Sequence, residues 1–233
     1  EYFSGFTGSA GLLIVLDDYA ALWTDSRYFL QAGTELQDTG ITLHKQQVQH
    51  APEHVPWLTE RLSNGAKVGV EATLFSIASV AYLKSFFDTK NIELVDIEGI
   101  SDKVWEGRPA LPDTIAYEHD VKYTGVSRDD KLASIRAFMA KTGAKHYFVS
   151  ALDEIAWTLN IRAWDIDFTP VALSYTIIGQ NSVEWFIQDA KVSAELNATL
   201  AKSNVTVKDY YAVREALAAL PANESVYVDK GNL

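Results

Sequence analysis

Hairpin, helix, strand, helix, strand: this succession occurs twice along the chain, and the two copies flank the stretch Arg108-Pro109-Ala110-Leu111-Pro112. In the first copy, apolar runs at 11–16 and 20–23 meet across Asp17-Asp18-Tyr19 as a hairpin. A helix over 27–36, a strand over 41–45, a helix over 54–62, a strand over 67–71, a helix over 77–87 and a strand over 92–97 follow. The second copy opens with a helix at Ser127, a residue suited to cap it, with acids in the first turn and Gly143 as its stop. A strand at 145–150, a helix at 151–161, a hairpin of 171–178 with 183–188, and further helices and strands to 229 complete it. Such alternation makes the chain α/β. It predicts two domains, 1–112 and 113–233, with the boundary between 108 and 126. The block 127–161 has no counterpart ahead of Tyr2, so a comparable block of about 40 residues is expected before Glu1, and the second unit is expected to continue beyond Leu233.

Composition removes several functions. A net charge of −11 over 233 residues, with no basic run, argues against nucleic acid or anionic membrane as a partner, because phosphate binding needs clustered Lys and Arg. The absence of cysteine excludes disulfides, thiolate catalysis and cysteine-ligated zinc. No apolar stretch of membrane-spanning length and no signal-peptide pattern occurs. Asn197, Asn204 and Asn223 head glycosylation sequons that matter only on a secretory route, and the cytoplasm is the expected compartment.

Local motifs give little chemistry. Gly5, Gly8 and Gly11 are spaced like a phosphate loop, but the apolar run follows them and no Lys-Ser/Thr pair does, which is the reverse of a phosphate cradle. These glycines are expected to supply positive-φ turns and close backbone approach at the mouth of a sheet. His50-Ala51-Pro52-Glu53-His54 matches a zinc-peptidase pattern, yet Pro52 would break the helix that must carry both imidazoles. The acid pairs Asp17-Asp18, Asp129-Asp130 and Asp153-Glu154 sit in a turn or in first helical turns, where carboxylates favour the dipole. Ser9, Ser150 and Ser174 belong to no nucleophile elbow or triad spacing. Two segments concentrate Arg, Asp and Trp: Trp23, Asp25, Arg27 and Tyr28 at a strand-to-helix corner, and Arg162, Trp164 and Asp165 in an irregular stretch before Pro170. Both offer a guanidinium fork beside flat apolar rings, so they are the candidates for substrate access or an interface. A local alternative is a helix cap at Asp25 or Ser26, with Phe29 packing and Arg27 paired locally.

The stretches "FSGFTGSAG", "ALWTDSRYFLQA", "KVGVE", "YTGVSRDDKL", "SALDEIAWTLNIR" and "TPVALSYTII" together resemble, in order, the N-terminal region of the Xaa-Pro aminopeptidases (aminopeptidase P) of the creatinase/prolidase group. The resemblance implies two creatinase-like N-terminal domains, each a mixed β-sheet flanked by helices. It implies a third, pita-bread catalytic domain carrying two divalent metal ions, expected to be manganese, whose ligands are not in these residues. On this reading the fragment has no catalytic residue, no metal site and no cofactor of its own, and is inactive alone. The full-length partner would be a proline-containing peptide, cut after the residue preceding proline. The resemblance further implies a homodimer, with 23–29 bordering a partner subunit's active-site cleft and Arg162 and Asp165 facing the catalytic domain of their own chain. Ala163, Trp164 and Thr169 depart from the residues usual in the group, so detail near that loop is expected to differ. A free-standing binding or scaffold module without peptidase activity is the alternative.

Overall fold

The computed structural model describes residues 1–231 and separates into two compact units, Glu1–Arg108 and Pro109–Leu233. The first opens on a glycine-bearing loop and the antiparallel pair β1 (Leu12–Val15) and β2 (Ala20–Thr24), with Leu12 opposite Trp23. The expected helix divides into a 3-10 turn over Ser26–Tyr28 and α1 (Phe29–Glu35), because Asp25 accepts a bond from the Arg27 amide and tightens the first turn. This crossover returns the chain to β3 (Ile41–Lys45), parallel to β2. Next come α2 (His54–Arg61), β4 (Lys67–Val70), α3 (Ile77–Phe87), β5 (Glu93–Asp96) and α4 (Ile100–Val104). β4 and β5 form a separate parallel pair, so the sheet of this unit is in two pieces. One core lies between the hairpin and α1, around Phe6, Leu22, Ala32 and Leu36. The other gathers Val55, Leu58, Leu83, Phe87 and Ile92.

The second unit begins with β6 (Tyr117–Glu118) and the single turn α5 (Val121–Thr124), followed by α6 (Arg128–Thr142). Ser127 caps α6 by accepting from the Asp130 amide, and Gly143 ends it at φ +76°. Then follow β7 (His146–Val149), α7 (Leu152–Leu159), β8 (Ile161–Arg162), β9 (Tyr175–Gly179), β10 (Val183–Phe186), α8 (Ala194–Ala201), β11 (Val205–Lys208), α9 (Val213–Ala218) and β12 (Val226–Tyr227). Five strands form one mixed sheet in the order β11-β10-β9-β7-β12. The hairpin β9/β10 is antiparallel, and the crossover through α8 sets β11 parallel to β10. Trp185, Ile178, Leu159 and Met139 sit fully buried in its core. β6 and β8 pair briefly and hold the irregular stretch that follows α7. Unit 1 thus sets a three-stranded mixed sheet and a parallel pair among its helices, and unit 2 a five-stranded mixed sheet.

Candidate functional site

The first candidate corner is built around Phe6. Its ring is buried with Leu22 and Ala32 and meets the Tyr28 ring edge-on at 5.8 Å. The glycine loop closes over this ring: a Cβ on Gly8 would lie 2.2 Å from Phe6 Cζ, and one on Gly11 3.0 Å from Phe6 Cε1. Only Gly5 of the three has a positive φ, +73°, so the other two are required for close approach. The Thr24 hydroxyl donates to the Ala10 carbonyl at 2.5 Å, Ser9 Oγ and the Tyr28 hydroxyl lie 2.5 Å apart, and Glu35 accepts from the Thr7 amide and hydroxyl. The loop is a lid on a side chain, not a cradle for an anion.

At the end of β2, Trp23 and Asp25 are buried while Arg27 and Tyr28 are partly exposed. Arg27 folds back as a fork on Asp25, Nε to Oδ1 at 2.9 Å and Nη2 to Oδ2 at 2.7 Å. These bonds hold the Asp25 carboxyl well below the usual range, at about 2, and raise the guanidinium in turn. Asp25 is therefore an orienting anion. It leaves Arg27 Nη1 and the face of the Tyr28 ring, whose hydroxyl is held by Ser9, as the groups this corner presents. Trp23 serves packing: its indole stacks on the His44 ring at 4.2 Å and meets Trp57 edge-on at 4.7 Å.

His44 and His54 border that aromatic cluster. Burial lowers both imidazoles' affinity for a proton, and Arg61 adds to the effect at His44. His54 Nδ1 is buried with no hydrogen-bond partner. The helix α2 starts at His54 itself, and His50 lies outside it at φ +61°, so the two imidazoles do not share a helical face. The unfolded chain binds protons at these two sites more readily than the folded one. Unit 1 is accordingly expected to lose stability as pH falls below about 6.5. Urea midpoints taken from pH 8 to pH 5 should drop for the natural chain and flatten in a His44→Gln/His54→Gln variant.

The second corner surrounds the C-terminus of α7. Three cations meet its last carbonyls: Arg162 Nη1 donates to Ala156 O at 2.9 Å, Lys131 Nζ to Trp157 O at 2.9 Å, and Arg128 Nε to Leu159 O at 2.8 Å. This is charge placed where the helix dipole is negative and the carbonyls lack partners. Asn160, in the left-handed region at φ +51°, completes the cap and accepts from Lys131 Nζ at 2.5 Å. Lys131 has its proton affinity lowered by burial first, and by Arg162 second.

Beyond the cap, the Asp165 side chain turns into its own unit. Its side chain is fully buried and paired with the equally buried Lys191, and it accepts from the Thr114 hydroxyl at 2.6 Å and the Leu173 amide at 2.7 Å. The reason is electrostatic: Lys191 would otherwise be a buried charge without a counter-ion. Arg162 likewise faces the α7 carbonyls of its own unit. What the loop presents instead is Trp164, 57% exposed, Ile166, and Phe168, 98% exposed. Phe168 also sits at φ +62°, a strained conformation for an aromatic residue, across the bridge Ile166–Thr169. Sequence reasoning missed Phe168. Its one signal was a large apolar side chain beside the turn-forming Thr169-Pro170.

Among the described residues no group of three or more His, Asp or Glu side chains is placed to hold a metal ion. No helix among them is long and apolar enough to cross a membrane.

A family model described as the creatinase/prolidase N-terminal domain matches residues 1–104, and a second one of the same description matches 107–233. Aminopeptidase P2 of Arabidopsis thaliana is 35% identical over 224 residues, 95% of this chain and 31% of the relative. A probable Xaa-Pro aminopeptidase P of Talaromyces marneffei is 37% identical over 225 residues, 96% of this chain and 34% of the relative. Among solved structures, the X-prolyl aminopeptidase of Caenorhabditis elegans, described as a cytosolic enzyme with a di-nuclear active site, superposes with a TM-score of 0.88 at 31% identity, covering 93% of this chain and 35% of that one. The chain spans about a third of the length of the relatives it matches.

Proposed function

The chain belongs to the creatinase/prolidase N-terminal domain family, and from that premise we propose that it is the non-catalytic N-terminal portion of a metal-dependent Xaa-Pro aminopeptidase, which removes the residue preceding proline at a peptide's N-terminus. The observation that carries this is the likeness to the Caenorhabditis elegans enzyme, which takes in 93% of this chain but only 35% of that protein. Two divalent metal ions, manganese on this reading, belong to the catalytic portion outside these residues. When bound there they supply an activated water for attack on the Xaa-Pro bond. The cytoplasm is the proposed compartment and a homodimer the proposed assembly.

The residues described here bind and orient. Arg27, fixed by Asp25, keeps Nη1 for a peptide carbonyl or carboxylate, and Tyr28 supplies a flat wall beside it. We assign this corner to the border of the substrate cleft in the dimer. Trp164 and Phe168 supply an apolar surface for the catalytic domain, with Asp165, Lys191 and Arg162 holding the loop in shape behind them.

The test compares residues 1–233 with the full-length reading frame on an Xaa-Pro peptide with added manganese. Release of the first residue is expected from the full-length enzyme alone, and release by the short chain free of contaminants would overturn the reading. In the full-length enzyme, Arg27→Ala is expected to lower kcat/KM by about tenfold or more with the fold intact. A loss under about threefold would reduce Arg27 to a partner of the capping Asp25.

A further inference from the structure

Tyr28 stands at the junction between the 3-10 turn over Ser26–Tyr28 and α1, at φ −115° and ψ 4°. That conformation belongs to the sparsely populated bridge region, so helix geometry does not set the direction of the side chain. Its neighbours set it. Phe6 meets the ring edge-on, and the glycine loop passes so close that a Cβ on Gly8 would lie 2.8 Å from Tyr28 Cδ1. These contacts limit the tilt of the ring without tying down its far end. Among the described residues the Tyr28 hydroxyl has one hydrogen-bond partner, Ser9 Oγ at 2.5 Å.

Ser9 is itself braced on both sides. Thr7, two positions before it, donates its amide and hydroxyl to Glu35 of α1 at 2.9 Å and 2.6 Å. Ala10, directly after it, accepts from the Thr24 hydroxyl of β2 at 2.5 Å. β2 leads into the Asp25–Tyr28 corner and α1 leads out of it, so Ser9 is fixed against the same frame that carries Arg27. The guanidinium then rests on two supports. Asp25 grips it through Nε and Nη2, and the Tyr28 ring lies beneath it, with the guanidinium carbon 5.1 Å from the ring centroid.

We propose that Ser9 is a positioning residue: its hydroxyl pins the Tyr28 ring, and the pinned ring holds Arg27 Nη1 toward a bound peptide. The assignment rests on the proposed role of the Arg27 corner, and it gives Ser9 no contact with the peptide or with reacting atoms. It also supplies a use for a serine that belongs to no nucleophile elbow: the hydroxyl serves as a hydrogen-bond partner and not as an attacking group. The bond is exposed, so its loss is expected to register in peptide binding and hardly at all in the stability of the fold.

The test uses the full-length protein and an Xaa-Pro peptide. Ser9→Ala and Tyr28→Phe are each expected to raise KM about three- to tenfold with kcat within about twofold. The double variant should lose no more than either single one, because all three lack the same bond. Ser9→Thr keeps the hydroxyl and should return KM to the natural value. In residues 1–233 carrying 13C-labelled tyrosine, the Tyr28 Cζ resonance, assigned by its loss in Tyr28→Phe, should move in Ser9→Ala and return in Ser9→Thr at an unchanged urea midpoint. A full-length protein that does not cut the peptide, or in which Arg27→Ala is silent, would overturn the reading of the corner and the role of Ser9 with it. Where Arg27→Ala costs activity as expected, three results would each overturn the Ser9 assignment alone: additive losses in the double variant, a Ser9→Ala KM within about twofold of the natural one, or an unmoved Cζ resonance. So would a Ser9→Ala loss that follows a fall in the urea midpoint, because Ser9 would then be a brace of the fold only.

Discussion

Lys191→Met should lower the stability of unit 2 by about 3–5 kcal/mol, the cost of leaving a buried charge without its partner. Lys191 and Asp165 are both fully excluded from water, and the Asp165 carboxylate is also committed to the Thr114 hydroxyl and the Leu173 amide. Removing the ammonium leaves an anion that two neutral donors cannot compensate. The consequence is local as well as global, because those same bonds hold the loop that presents Trp164 and Phe168. A Lys191→Met/Asp165→Leu double variant removes both charges at similar volume and should recover most of the loss. Native-state hydrogen exchange over β9 and β10 reads the result for this unit. A single variant as stable as the natural chain would mean that the pair is not buried as described.

The alternation of elements was legible because each helix carries its own signals. Ser127 and Gly143 bracket α6 as they would in isolation, and the apolar runs at β9 and β10 are bounded by Gly179 to Ser182. The short elements were not legible. β6 and β8 are two residues each and exist only because the chain after α7 returns past 117–118, a tertiary pairing with no local period. At the site, a cap at Asp25 or Ser26 and a local partner for Arg27 could be read from the spacing, and the structure selects Asp25 for both. Asp165 could not. Its partner Lys191 lies 26 positions away, and a solvated loop acid and a buried counter-ion are written with the same letter. Trp23 was singled out for its type and proves to be core, because an aromatic at a strand end is equally suited to packing against His44 and Trp57. The glycine loop was read for the chemistry it lacks, and its positive role depends on where the Phe6 ring points, which spacing does not encode.

Phe6→Ala should therefore be the most damaging substitution in the glycine loop, at about 3–5 kcal/mol for a buried aromatic side chain. The ring fills the space beneath Gly8 and Gly11 and packs on Leu22, Ala32 and Tyr28. Its removal leaves a cavity that the loop cannot collapse into while the Thr24 hydroxyl holds Ala10 and Glu35 holds Thr7. Gly8→Ala attacks the same contact from the other side: the added methyl meets the ring edge at 2.2 Å and Tyr28 at 2.8 Å, so ring or loop must move, at about 1–3 kcal/mol. The two changes are opposite in volume at one interface. Combining them should cost less than the sum, because the methyl enters space that the ring has vacated. Urea denaturation of the four chains, followed through Trp23, Trp57 and Trp105 with the unit 2 tryptophans changed to phenylalanine, gives the coupling directly. Additive losses would show that the loop does not rest on Phe6. The same cycle should shift the Tyr28 hydroxyl away from Ser9, and if the proposed function holds it should also lower kcat/KM of the full-length protein at temperatures where the fold persists, since the Arg27 corner is built on this ring.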